Sequence, residues 1–193
     1  MNIEIITVFI YSYILGSVPF GLILTKLFLK KDIRKIGSGN IGATNVLRTG
    51  GKFLAIVTLF FDVIKGYLSV YITNEYFNDL IFLSALMCFI GHIFPVWLKF
   101  KGGKGVATYL GIVIAISLKL AILFGIIWMF TLLIFRYSSF SSIFSTLVVF
   151  LYSLFLNNFS LNIFLFVIVI IVIFTHRENI WRLKNRTENK INF

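Results

Sequence analysis

The chain has 193 residues, 59% of them hydrophobic and 13% charged, with a mean hydropathy of +0.98. A soluble domain carries about 25% charged residues, so a water-soluble globular enzyme is excluded and a polytopic membrane protein is indicated. The 18 basic residues outnumber the 7 acidic ones and fall in short segments between apolar runs, which points to topology and anionic ligands or lipids rather than nucleic acid.

The first apolar run, residues 3–28, is too long for the hydrophobic region of a cleavable signal and lacks a basic start. Gly16-Ser17-Val18-Pro19-Phe20-Gly21 interrupts it, and the proline removes a helical hydrogen bond there, predicting a kink. The loop at 29–51 contains Gly37-Ser38-Gly39-Asn40-Ile41-Gly42-Ala43-Thr44-Asn45-Val46-Leu47-Arg48. Glycines allow positive φ, so successive N–H groups can converge on an anion. Ser38, Asn40, Thr44 and Asn45 add donors, and Arg48 offers a planar fork to phosphate. The stretch reads as an anion-binding loop, with a flexible polar linker as the plainer alternative.

The second span, residues 53–72, holds Asp62 and Lys65 on one helical face. They read as a structural ion pair turned into the bundle, with direct catalysis as the alternative. A polar connection at 73–78 leads to the third span, 79–98, where Cys88 sits among apolar neighbours as a packing residue. One cysteine permits no disulfide framework. His92, in Gly91-His92-Ile93-Phe94-Pro95, reads as a structural hydrogen-bonding residue. A second glycine-lysine loop follows in Lys99-Phe100-Lys101-Gly102-Gly103-Lys104-Gly105.

Charge parses the 30-residue apolar run at 106–135. Keeping the basic loops and the tail on one side requires two crossings here, broken near Ser117-Leu118-Lys119, followed by spans at 143–156 and 161–175. The expectation is an all-α polytopic protein of seven transmembrane helices, N-terminus outside and C-terminus cytoplasmic, with 16 of the 18 basic residues inside. The fourth span keeps only 12 residues, about 18 Å of helix against a hydrocarbon core of about 30 Å. Its glycine loop is therefore expected to sink into the bundle, with the helix N-terminus aimed at an anion.

Four polar clusters share the cytoplasmic side in this topology: residues 37–48, residues 91–108, Arg136-Tyr137-Ser138-Ser139-Phe140-Ser141-Ser142, and His176-Arg177-Glu178-Asn179-Ile180-Trp181-Arg182 with Glu188 beyond. A pocket built from them would be cationic and rich in donors, suited to phosphate groups. The first, second and fourth resemble the three motifs of the bacterial acyl-phosphate:glycerol-3-phosphate acyltransferase family (PlsY). Residues 136–142 and 17–21 also look like family segments. One departure stands out: the family usually has Gly-Thr-Glu where this chain has Arg186-Thr187-Glu188.

The resemblance implies one integral-membrane domain, 1–193, in a bacterial plasma membrane with its active site at the cytoplasmic face. It implies transfer of a fatty acyl group from acyl phosphate to the 1-position of glycerol-3-phosphate, giving lysophosphatidic acid and phosphate without a cofactor. By the same resemblance Ser38 and Arg48 are catalytic in the first motif, and His176, Asn179 and Glu188 in the third. Lys104 with Gly102 and Gly103 matches the glycerol-3-phosphate loop, and Ser139 and Ser142 match further substrate-binding hydroxyls. Gly39, Asn40, Thr44 and Asn45 join them as substrate-binding residues of the first loop.

The chemistry of the residues points the same way. Acyl phosphates are already activated, so the protein need mainly orient two anions and stabilise developing charge. There is no Gly-x-Ser-x-Gly elbow, no His-x-x-x-x-Asp pairing, and the two histidines lie too far apart in sequence to read as a metal cluster. The base that deprotonates the glycerol hydroxyl is either His176 or a substrate phosphate oxygen. Two other classes fit the composition: a transporter for a phosphorylated solute and a lipid-binding scaffold. The first lacks a second broken helix in a matching half. The second leaves the donors Ser38, Asn40 and Thr44 unexplained.

Overall fold

The computed structural model describes residues 3–191, which form ten α-helices and, among these residues, no strand. Their contacts divide at Ile116/Ser117 into two compact units.

In the first unit, α1 (Ile3–Ser17) and α2 (Phe20–Leu29) are one apolar run broken at Val18-Pro19, where the proline predicts it. The carbonyls freed at the break find side chains. Trp97 Nε1 donates to the Ser17 carbonyl (3.1 Å) and hydroxyl (2.8 Å), and Lys65 Nζ donates to the Val18 carbonyl (2.8 Å). Next come α3 (Ala43–Gly50), α4 (Lys52–Tyr76), α5 (Ile81–Ile93) and α6 (Val106–Ile116). The central helix is α4, which packs against α1, α2, α3, α5 and α6. It runs into the stretch read as a polar connection because Thr73 satisfies its hydroxyl on the Ser69 carbonyl (2.8 Å).

Glycines join these helices in matched pairs. A Cβ on Gly16 would strike the Cys88 carbonyl, and one on Gly91 would strike that of Tyr13, across α1 and α5. Between α4 and α6, Gly66 meets the Thr108 carbonyl and Gly111 that of Val63 in the same way. Lipid tails are as apolar as leucine, so helices in a bilayer associate through such close backbone contact and through buried polar groups. The second device is present too: Ser84 bonds Ser12 and Ser69 (2.9 Å each), and Tyr11 bonds Thr73.

The second unit contains α7 (Leu118–Phe135), α8 (Ser138–Ser153), α9 (Phe159–Thr175) and α10 (Arg177–Lys184). Ser117 caps α7 by accepting from the Leu120 N–H, so the helix breaks at the expected Ser117-Leu118-Lys119. The helix α8 begins five residues before the expected 143. Its serines look like loop residues, yet Ser141, Ser142, Ser145 and Thr146 each donate to the carbonyl four residues back. Between α9 and α10 the axis bends by 60° at His176.

Among the described residues five segments are long and apolar enough to cross a membrane, or six if the bent pair α9–α10 counts as one span; α6 is apolar but only 11 residues long. Large apolar side chains such as Phe53, Ile56, Phe60, Phe130 and Phe159 stand exposed along them. Surfaces of this kind suit lipid rather than water, and the protein is an integral membrane protein.

Candidate functional site

In the first unit the loop between α2 and α4 is pinned from below. Ile33 and Ile41 are buried with Leu22, Val46, Leu54 and Ala55 in one apolar cluster. Between those anchors the backbone takes φ of +62° at Gly37 and +72° at Gly39, a region that glycine enters without strain. Asn45 braces the turn from inside. Its Oδ1 accepts the Ser38 N–H (2.9 Å), and its Nδ2 reaches the carbonyls of Ile33, Ile36 and Asn40 (2.8–3.2 Å). Gly37 has no Cβ because Asn45 Oδ1 fills that space. Asn40 Oδ1 accepts the Gly42 N–H (3.1 Å) in a local turn.

The sequence points both asparagine amides at a ligand, whereas the structure turns the Asn45 amide, and the Oδ1 of Asn40, onto the loop's own backbone. Ser38 is exposed on the braced turn, and Thr44 and Arg48 share one face of α3. Asp32 caps a short turn before the loop and is gripped by Arg34 through Nε (2.9 Å) and a terminal nitrogen (2.6 Å). The guanidinium holds the Asp32 carboxyl far below the usual carboxylate range.

The second glycine loop folds back along α5. Gly102 N–H donates to the Ile93 carbonyl (2.9 Å), Gly103 N–H to that of His92 (3.1 Å), and Gly105 lies against the Phe89 ring. The backbone of residues 101–105 is irregular. The N–H groups of Gly102 and Gly103 therefore cap the end of α5, and the half-buried Lys104 follows directly. A groove of about 410 Å³ lies beside both loops, lined by Arg34, Gly39, Trp97, Leu98, Lys99, Lys101 and Gly102. Its charge is suited to an anion and its Trp97 and Leu98 to a chain of methylenes.

In the second unit the tail folds back and delivers Glu188 to α8 and α10. Ser139 Oγ (2.8 Å) and Asn179 Nδ2 (2.6 Å) donate to its Oε1, and Arg182 Nε (2.7 Å) to its Oε2. Three residues expected at the site are thus brought together. Arg182 was not among them, because nothing in sequence spacing tells which of five tail cations a carboxylate will choose. Burial alone would raise the Glu188 pKa, but the three donors and the Arg182 charge outweigh it and hold the carboxyl below its ordinary value. Arg186, where the family usually has glycine, takes φ +58°, so the backbone keeps a glycine-like turn in spite of its side chain.

His176 is buried at the α9–α10 bend, where its Nδ1–H donates to the Val172 carbonyl (2.9 Å). A carbonyl can only accept, which makes Nε2 the acceptor nitrogen of the neutral ring. Ser142 is occupied within the unit: it accepts from Trp128 Nε1 (3.0 Å) and donates to the Ser138 carbonyl (2.8 Å).

Comparison with known proteins identifies the family. The family profile for glycerol-3-phosphate acyltransferase matches residues 6–186. A glycerol-3-phosphate acyltransferase of Pelagibacter ubique is 52% identical over 187 residues, covering 97% of both chains. One from Brucella anthropi is 48% identical over 99% of this chain and 95% of its own. The crystal structure of PlsY (YgiH), an integral membrane glycerol 3-phosphate acyltransferase, in its glycerol 3-phosphate form, superposes with a TM-score of 0.93 at 36% identity, covering 97% of this chain and 96% of that one. Its lysophosphatidic acid form superposes with a TM-score of 0.90. Sequence and backbone agree over nearly the whole length, and the chain belongs to the glycerol-3-phosphate acyltransferase family.

Proposed function

We propose that this protein transfers a fatty acyl group from acyl phosphate to the 1-hydroxyl of glycerol-3-phosphate, releasing lysophosphatidic acid and inorganic phosphate. It does so as a single domain with seven spans, its N-terminus outside, and its reacting groups on the cytoplasmic side of a bacterial plasma membrane. The observation that carries this reading is the internally braced loop at 37–45, which needs no ligand to hold its shape and leaves Ser38 exposed for a phosphate or an oxyanion.

In this mechanism Ser38 hydrogen-bonds a substrate phosphate or the developing oxyanion and Arg48 neutralises phosphate charge, with Gly39 and Thr44 beside them. Asn40 and Asn45 act by fixing the loop. Lys104 contacts the phosphate of glycerol-3-phosphate, with Gly102 and Gly103 setting its backbone. The glycerol oxygen attacks the acyl carbonyl, the bond from acyl carbon to phosphate oxygen breaks, and phosphate leaves with its electron pair. The hydroxyl proton goes to His176 Nε2 or to a substrate phosphate oxygen. Asn179 and Glu188 complete the catalytic set with His176, and Ser139 and Ser142 are substrate-binding hydroxyls.

The test is direct. Purified protein given acyl phosphate and glycerol-3-phosphate forms lysophosphatidic acid; a transporter of phosphorylated solutes would leave both unchanged. In the same assay Lys104→Ala lowers kcat/KM for glycerol-3-phosphate by roughly 10- to 150-fold, the loss of one charge-assisted hydrogen bond, with KM for acyl phosphate less affected. An unchanged KM in folded protein would leave Lys104 a topology residue only.

Orientation has its own check. A cysteine placed at Asn189 in a Cys88→Ala background reacts with an impermeant reagent only after the cells are opened. Labelling in intact cells would reverse the topology.

A further inference from the structure

The first unit holds a charged cluster that this mechanism does not use. Lys65 Nζ lies 2.7 Å from Asp62 Oδ1, 2.8 Å from the Val18 carbonyl and 2.9 Å from His92 Nδ1, with all three side chains buried. An ammonium has no acceptor, so His92 Nδ1 accepts and the hydrogen of the neutral ring sits on Nε2. That Nε2 edge fills the space a Cβ on Gly103 would need. The His92 carbonyl also accepts the Gly103 N–H, and the neighbouring Ile93 carbonyl accepts that of Gly102. His92 is therefore both the far end of the ion pair and the floor of the loop that ends in Lys104.

A buried ion pair contributes little stability that two apolar groups of the same volume could not supply. What apolar groups cannot do is fix a ring's tautomer and orientation. We propose that Asp62, Lys65 and His92 form a positioning relay: Asp62 holds Lys65, Lys65 holds the His92 ring, and the ring sets the loop at 102–104 for glycerol-3-phosphate. The identity of that substrate rests on the acyltransferase reading. None of the three residues touches the substrate; they act through Lys104.

Removing one charge would strand the other, so the test removes both in the variant Asp62→Leu/Lys65→Met. KM for glycerol-3-phosphate is expected to rise roughly 10-fold, while kcat and KM for acyl phosphate stay within about two-fold, the size of effect carried by networks that miss the ligand. His92→Asn places an acceptor near Nδ1 but leaves the space against Gly103 empty, and it shifts the same KM. A double-mutant cycle supplies a readout free of turnover. Gly103→Ala drives a methyl into the ring and lowers Tm in detergent; His92→Ala makes room, so the pair loses less than the sum of the single losses. A folded Asp62→Leu/Lys65→Met protein with wild-type KM for glycerol-3-phosphate would overturn the relay, as would additive Tm losses in the cycle. If the wild-type protein makes no lysophosphatidic acid, the substrate reading falls, and the cycle still decides whether ring and loop are coupled.

Discussion

Ser38→Ala will turn over about 10² to 10³ times more slowly than wild type, the usual cost of losing one donor aimed at developing negative charge. The serine lies between two glycines with positive φ, and its N–H is tied to Asn45, so the turn that carries the hydroxyl stays in place when the hydroxyl is removed. The loss will therefore appear in kcat, with Tm unchanged. Ser38 is not the nucleophile in this account. No histidine or carboxylate is hydrogen-bonded to it among the described residues, and the proposed donor, acyl phosphate, is already a mixed anhydride. Rapid quench with labelled acyl phosphate and no acceptor checks this: wild-type protein should stay unlabelled. An acylated peptide containing Ser38, formed as fast as turnover, would replace direct transfer with a two-step route.

Glu188→Ala will lower Tm and activity together. Removing the carboxylate takes the acceptor from Ser139 and Asn179 and leaves Arg182 without its closest acid, and losing the partner of such partly buried donors costs about 1–3 kcal/mol. That is a large share of a typical 5–15 kcal/mol. The pH dependence identifies the cause. The folded pKa of Glu188 is depressed, so its contribution is fully present above the ordinary value of 4.5 and is lost as pH falls through the lower folded value. Glu188→Gln has nothing to titrate, so that part of the acid destabilisation should vanish. Parallel Tm–pH curves for Glu188→Gln and wild type would remove Glu188 from this role.

Breaks and charges were legible in the sequence because they follow local rules. Pro19 cannot continue a helix, and Asp62 and Lys65 three residues apart in an apolar span have few partners but each other. Amides and hydroxyls were harder. An asparagine in a glycine-rich loop has the same composition whether it faces a phosphate or braces the turn, and only the fold shows Asn45 reaching Ile33, twelve residues away. The helix α3 has eight residues and few apolar ones, so no hydrophobic run announced it. The serines of α8 imitate a loop because their partners are carbonyls of their own helix. Ser139 and Glu188 are 49 residues apart, a distance over which no sequence periodicity reports contact.

The glycine notches between helices have a consequence for engineering. Gly66 directly follows Lys65 and Gly91 directly precedes His92, so the tightest points of helix contact share a turn with the buried charges. A thermostabilising screen that relieves or fills those notches cannot leave the charges where they were, because a shift of a few tenths of an ångström at either glycine is inherited by the next side chain. Durability in detergent and affinity for the acceptor are mechanically coupled there, and selection for one will be read out in the other.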